Sequence, residues 1–164
     1  CNKPSIALIQ GICMGGGIGI ALSCDLRITS ANTRFRMPAA RLGLGYEIAG
    51  MKRSVQVMGY ANTADIFFSA RTFDGTEALR LGLVNRCFKV EHFDLQVNAV
   101  MADLVTNAPL TLKAAKLALR HILCNVDEPV ENVEFAISQC FSSDDYREGQ
   151  KAFSEKRKPE FQGR

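Results

Sequence analysis

An α/β fold is predicted on three observations. The first half of the chain holds short apolar runs of strand spacing separated by glycine, whereas beyond residue 60 the apolar spacing turns helical. A length of 164 residues, 47% apolar and 23% charged, suits one domain with one core. That apolar share argues against a disordered chain. Arg27, Arg34 and Arg36 interrupt the richest apolar region, so no run reaches the length of a membrane span. A net charge of +3 is too small to argue for nucleic acid, though it tolerates an anionic small molecule.

Residues 5–10 (SIALIQ), between Pro4 and Gly11, read as a buried strand. Residues 11–19 form a glycine-rich turn that leads into a small-residue helix through Ile20, Ala21, Leu22 and Cys24. Residues 25–29 and 33–37 alternate polar and apolar side chains, as half-buried strands do. Residues 27–53 carry six bases (Arg27, Arg34, Arg36, Arg41, Lys52, Arg53) against one acid, Glu47. Helical spacing covers 61–69 and 76–83, with Gly82 placed to stop the second helix, and 85–90 gives one more strand.

From His92 onward helices succeed one another. Phe93, Leu95, Val97 and Met101 mark one apolar face; Leu110, Ala114, Leu117 and Leu119 mark a second; Phe135, Ile137 and Phe141 mark a third. A charged helix over 144–156 closes the chain. Such wide faces predict subunit contacts. The sequence contains no internal repeat and no low-complexity linker, which fits a single domain.

The six cysteines (1, 13, 24, 87, 124 and 140) have irregular spacing and no C-x-x-C pair, so they read as small hydrophobes in a reducing compartment. His92 and His121 are too few for a Cys/His metal site and read as structural; no metal is expected. The chain opens on Cys-Asn-Lys-Pro with neither an initiator Met nor a secretory signal pattern, so it is expected to begin inside a longer protein.

The chemistry concentrates at Gly15-Gly16-Gly17, between a strand and a helix. The phosphate-loop pattern fails because no Lys follows, and the dinucleotide pattern fails because Ile20 or Leu22 stands where the third glycine belongs. No nucleophile elbow is present. Two readings remain: a tight packing turn, or a bare N–H beside a helix N-terminus, which is the geometry of an oxyanion donor.

Five segments in order resemble the crotonase (enoyl-CoA hydratase/isomerase) superfamily: KPSIALIQGICMGGG (3–17), ALSCDLRI (21–28), FRMPAARLGL (35–44), ALRLGLVN (78–85) and SDDYREGQKAFSEKRKPEF (143–161). The resemblance implies a spiral of ββα units, incomplete at its N-terminus, followed by a helical oligomerisation region. It divides the chain at 1–90 and 91–164 within one family domain. It also implies homo-oligomers (a trimer or a dimer of trimers), an acyl-CoA substrate, and no cofactor beyond the coenzyme A of that thioester. A cytoplasmic site is expected, or the mitochondrial matrix in a eukaryote. Two backbone N–H groups hold the thioester oxygen in this family. Gly16 matches the second, and the first belongs to a loop upstream of Cys1, so the chain is expected to be a fragment or a processed product.

Two departures bear on the reaction. Family hydratases place one glutamate two residues past the glycine triplet and another after the Pro of Phe-x-x-Pro; here those positions are Gly19 and Ala39. Without that carboxylate pair, hydration loses its acid and base. Glu47 falls where dienoyl-CoA isomerase relatives carry a proton-transferring acid, and partial desolvation near an acyl chain would suit it to that task. The other reading of Glu47 is a helix-start acid facing solvent or Arg53. Tyr46 falls where methylmalonyl-CoA decarboxylase relatives orient the departing carboxylate; alternatively it is a packed ring whose hydroxyl bonds to backbone.

By the same resemblance Met14, Gly15, Pro38 and Leu42 line the acyl site. Phe153 and Lys156 match positions that contact the adenine and phosphate of CoA on a neighbouring subunit, or else form a solvated helix face. The expected function is acyl-CoA processing through a thioester enolate, with isomerase-like proton transfer ahead of hydration. The alternatives are a malonyl-type decarboxylase and a catalytically silent acyl-CoA-binding subunit.

Overall fold

Pro4 and Gly11 confine the first strand, β1 (Ile6–Ile9), and a second short strand, β2 (Ile12–Met14), follows at once. The computed structural model describes residues 1–124 and 129–164, which form two compact units, Ser5–Val97 and Asn98–Arg164 with Cys1–Pro4. The division therefore falls at 97/98, a few residues beyond the 90/91 expected from the family resemblance.

In the first unit, α1 (Gly16–Ser23) leads to β3 (Leu26–Ser30) and β4 (Arg34–Arg36), then to the single turn α2 (Ala39–Leu42) and the long α3 (Ile48–Ser69). After these come β5 (Thr72–Phe73), α4 (Gly75–Arg80) and β6 (Arg86–Phe88). Strands β1, β3 and β6 form one parallel sheet; in the other, β2 pairs parallel to β4, and β4 antiparallel to β5. Successive β-β-α units thus lay their first strands in one sheet and their second strands in the other, which is the winding implied by the resemblance. The repeat is one of main-chain pairing, so it leaves no repeat in the side chains.

Strand β3 is buried on both faces, rather than on one, and includes the buried Arg27, Thr29 and Ser30. Strands covered on both sides lose the polar–apolar alternation of half-buried ones. The buried polar side chains of this strand find partners, whereas the Thr63 hydroxyl, buried on α3, has none among the described residues. The Thr29 and Thr33 hydroxyls both donate to the Ile9 carbonyl at 3.1 Å. Arg27 donates through Nε to Leu83 O at 2.7 Å and through Nη1 to Cys24 O at 2.9 Å. The core joins Ile18 and Leu22 of α1 to Phe35, Met37, Ile66, Phe73 and Leu83. Phe35 and Phe73, register partners across β4 and β5, stack with centroids 5.6 Å apart. Gly75 opens α4 where a Cβ would collide with the Ser30 carbonyl oxygen, and Asp74 caps that helix by accepting from Glu77 N at 2.8 Å.

The helical spacing read over 61–69 belongs to a longer element. Helix α3 is interrupted at Gly59 (φ 75°, ψ 167°), a backbone conformation open essentially to glycine alone, and its limbs cover 48–58 and 60–69. The expected stop at Gly82 is present, with φ 77°.

A 3-10 turn (Val90–His92) precedes α5 (Phe93–Val105). Its buried stripe is Phe93, Val97 and Val100, whereas Leu95 and Met101 face outward, so the face read from sequence mixed two sides. In the second unit, α6 (Pro109–Cys124) packs on α7 (Val130–Ser142) through Ala114, Leu117, Val133 and Ala136, small enough for close approach. Leu119, Phe135, Ile137 and Phe141, expected on packed faces, are exposed on the described chain.

Helix α8 (Asp144–Ser154) closes the fold, and the segment after it turns back along it. Asp145 accepts from Gln162 N and Gly163 N at 2.6 and 2.9 Å, while Arg164 O accepts from Asp144 N at 2.8 Å. Cys13 is buried, Cys1 is exposed, and Cys24, Cys87 and Cys140 lie between; none of these five is bonded to another cysteine, and the Cys124 side chain lies outside the described residues. Among the described residues no helix is long and apolar enough to cross a membrane.

Candidate functional site

The site is built where β2 runs into α1. Gly15 takes φ 50° and ψ −114°, in the left-handed half of conformational space that glycine favours, and its N–H donates to Arg36 O at 3.0 Å. That bond fixes the turn to the end of β4. The Gly15 carbonyl then accepts from Ile18 N and Gly19 N at 3.1 and 3.3 Å, which starts the helix. Neither Gly16 nor Gly17 N–H has an acceptor among the described residues, and no side chain caps α1. A Cβ built on Gly16 meets nothing within 4 Å. The helix thus begins with an amide that has no acceptor among the described residues, on a residue with open space at its Cβ position, as an oxyanion donor requires.

Two of the expected residues, Pro38 and Tyr46, come up to this turn. The Pro38 ring, at the start of α2, lies 3.8 Å from a Cβ placed on Gly15. The Tyr46 hydroxyl lies 3.6 Å from a Cβ placed on Gly19, one helical turn beyond Gly16. Tyr46 therefore faces Gly19, the position that the sequence resemblance matches to the first hydratase glutamate. Its ring packs edge-on against Phe67, centroids 5.0 Å apart, yet its hydroxyl has no hydrogen-bond partner among the described residues. The backbone bond weighed as an alternative for that hydroxyl is not made.

The remaining predicted residues are placed differently. Met14, at the end of β2, is half-buried. Leu42, at the end of α2, is 70% exposed. Glu47 is the N-cap of α3; its carbonyl accepts from Met51 N at 3.1 Å, and its side chain makes no cap bond. The residue is exposed, so the desolvation expected of it is not provided by this chain. Arg53 is not its partner, because Arg53 Nε donates to Leu22 O in the last turn of α1 at 2.8 Å. Ala39, at the second glutamate position, is buried. Phe153 and Lys156 belong to the other compact unit. Phe153 is 87% exposed and borders a cavity of about 720 Å³ lined also by Leu110, Ile137, Phe141 and Phe161.

The basic stretch 27–53 resolves into two groups. Arg27, Arg36 and Arg53 donate to main-chain carbonyls and hold the fold together. Burial, and after it the like charge of Arg53, lowers the Arg27 pKa from its ordinary value. Arg34, Arg41 and Lys52 remain exposed. Burial alone pushes the Cys13 thiol up, which disfavours a thiolate beside the glycine turn. The seat of the Tyr46 ring went unread in the sequence; its only signal there is Gly50, four residues after Tyr46.

Comparison with known proteins gives the kinship. The enoyl-CoA hydratase/isomerase family model matches residues 1–164. A short-chain-enoyl-CoA hydratase of Clostridium acetobutylicum is 36% identical over 97% of this chain and 61% of its own length. A peroxisomal Delta(3,5)-Delta(2,4)-dienoyl-CoA isomerase of Arabidopsis thaliana is 32% identical over 98% of this chain and 59% of its own. Among solved structures, an enoyl-CoA hydratase/carnithine racemase from Magnetospirillum magneticum superposes with a TM-score of 0.88 at 29% identity, covering 100% of this chain and 61% of that one. The chain spans about three fifths of the length of the curated relatives it matches.

Proposed function

The chain belongs to the enoyl-CoA hydratase/isomerase family, and from that membership we propose that it processes an acyl-CoA thioester by stabilising an enolate at the Gly16 N–H. The observation that carries this reading is the Gly16 amide at the start of α1, which has no acceptor among the described residues and open space at its Cβ position. One preorganised donor of this kind is worth about 2.7–4 kcal/mol in the transition state. Coenzyme A enters as part of the substrate, with no further cofactor. Met14, Gly15, Pro38 and Leu42 line the acyl end; Phe153 and Lys156 receive the nucleotide end of a CoA held by a neighbouring copy. The exposed apolar side chains of α6 and α7, Leu119, Ile122, Phe135 and Phe141 among them, favour a homo-oligomer.

Within that frame proton transfer is preferred over hydration. Gly19 and Ala39 supply no carboxylates to hold and activate water. Glu47 is the proton carrier and stands directly after Tyr46, whose hydroxyl orients the substrate. A second reading, decarboxylation of a malonyl-type thioester, draws its support from the Tyr46 hydroxyl, which has no partner among the described residues and is free to orient a carboxylate.

Turnover of crotonyl-CoA, 3-hexenoyl-CoA and methylmalonyl-CoA separates the readings. Isomerisation of 3-hexenoyl-CoA that is lost in Glu47→Gln is the expected result. Loss of methylmalonyl-CoA turnover in Tyr46→Phe alone supports the decarboxylase instead. Calorimetric CoA binding with no turnover of any of the three contradicts both and leaves an acyl-CoA-binding subunit.

A further inference from the structure

Gly50 lies in the first turn of α3, where no unusual backbone angle calls for glycine; it is absent from the positive-φ residues. Glycine is among the poorest helix formers, so its presence at an ordinary helical position needs another cause. The cause is Tyr46. A Cβ at position 50 would stand 2.5 Å from Tyr46 Cε1 and 3.3 Å from Cδ1, so the aromatic ring occupies the space of the missing side chain.

Phe67 supports the same ring from another direction, edge-on with its plane at 78°. It comes from the far limb of α3. A straight helix would carry Phe67 about 28 Å from Ile48. The break at Gly59 instead returns the second limb to the first, which puts a fixed aromatic wall behind Tyr46. Phe67 is itself only 5% exposed and part of the core, so this wall is rigid. With the ring set between these two surfaces, its hydroxyl stands 3.6 Å from the position of a Cβ on Gly19 of α1.

We propose that Gly50 and Phe67 are positioning residues that seat the Tyr46 ring and aim its hydroxyl at the Gly19 side of α1, one turn beyond the Gly16 amide. The proposal rests on the reading of Tyr46 as a substrate-orienting group, and its test separates the two. Neither residue touches substrate; both act through the direction of one phenol.

The test labels tyrosine at Cζ with carbon-13 and follows the three tyrosine resonances, with Tyr46 assigned by its loss in Tyr46→Phe. In Gly50→Ala the Tyr46 resonance is expected to move while those of Tyr60 and Tyr146 stay, which also reports an intact fold. With whichever of the three thioesters is turned over, kcat is expected to fall about tenfold or more and KM to change less than about twofold. In a Tyr46→Phe background, Gly50→Ala is expected to add less than about a twofold further loss, since the group it aims is already gone. Phe67→Leu keeps an apolar side chain in the core and is expected to move the same resonance without adding an atom at position 50. A Tyr46 resonance unmoved by both substitutions overturns the proposal, as does a Gly50→Ala loss equally large without the phenol. If the resonance moves but Tyr46→Phe leaves turnover unchanged, the seating holds and the orienting role of Tyr46 falls.

Discussion

Lys156 follows the end of α8 with φ 55°, a left-handed conformation that a β-carbon disfavours. It is held there by the hydrogen bonds of a helix C-cap: Lys156 N donates to Phe153 O at 3.2 Å and Arg157 N to Ala152 O at 3.0 Å. Glycine is the usual occupant of such a position, and the proposed contact of the Lys156 ammonium with CoA would account for a lysine there. The left-handed penalty is about 1–2 kcal/mol, against about 0.4–1 kcal/mol of extra unfolded-chain entropy for glycine. Lys156→Gly is therefore expected to raise the melting temperature while weakening CoA binding, as read by thermal denaturation and calorimetry. A fall in melting temperature would show that the strain is not there. Arg27 makes the opposite case, a charged residue retained for the fold. A sequence places it with Arg34 and Arg41 by charge, but its guanidinium is spent on the Leu83 and Cys24 carbonyls.

Among the elements, α3 does more than its length suggests. Gly59 has open space around it, so a substitution there acts through its backbone angles alone. Gly59→Ala is expected to cost about 1–3 kcal/mol of stability by denaturant unfolding. It should also displace Phe67, and hence the Tyr46 resonance; a neutral Gly59→Ala would mean that the turn is not glycine-dependent.

The C-terminal segment 157–164 is a second such element, pinned to α8 by Glu148. Arg157 donates to both Glu148 oxygens at 2.6 and 2.8 Å, and Glu160 N donates to one at 3.0 Å. The Arg157 guanidinium, with the Glu160 N–H second, lowers the Glu148 carboxyl to about 2. A carboxyl depressed in the folded state contributes stability above its ordinary pKa near 4.5 and loses it as pH falls through about 2. The Glu160 amide resonance is thus expected to titrate with a midpoint near 2. A midpoint near 4.5 would mean that Arg157 does not hold Glu148 in solution. The same elements show what sequence carries. Strand β1 is legible because an apolar run lies between Pro4 and Gly11, and β3 and β4 because polar and apolar side chains alternate there. Strand β2 hides in the glycine run, β5 is two residues long, and helical spacing continues across Gly59 as though no break existed.

For the whole molecule, kinship and fold were readable from ordered motifs, whereas the spiral itself was not, because parallel pairing of β1 with β3 and of β2 with β4 leaves no side-chain period. The Gly16 amide was legible as a glycine turn before a helix. The meeting of Tyr46 with Gly19 was not, since it depends on how α1 and the start of α3 pack. Exposed Leu119, Phe135 and Phe141 show the limit from the other side: their apolar character is plain in sequence, but their exposure on the described chain is not. The proposed chemistry converges on one main-chain donor, and proline at the first helical position removes that donor at little cost to the helix. The direct measurement is kcat/KM of Gly16→Pro beside the parent protein on 3-hexenoyl-CoA, with circular dichroism to verify the fold. A loss of about 10²–10³-fold with the helix content intact is expected. Undiminished turnover in the folded variant would contradict the assignment of the enolate to the Gly16 N–H.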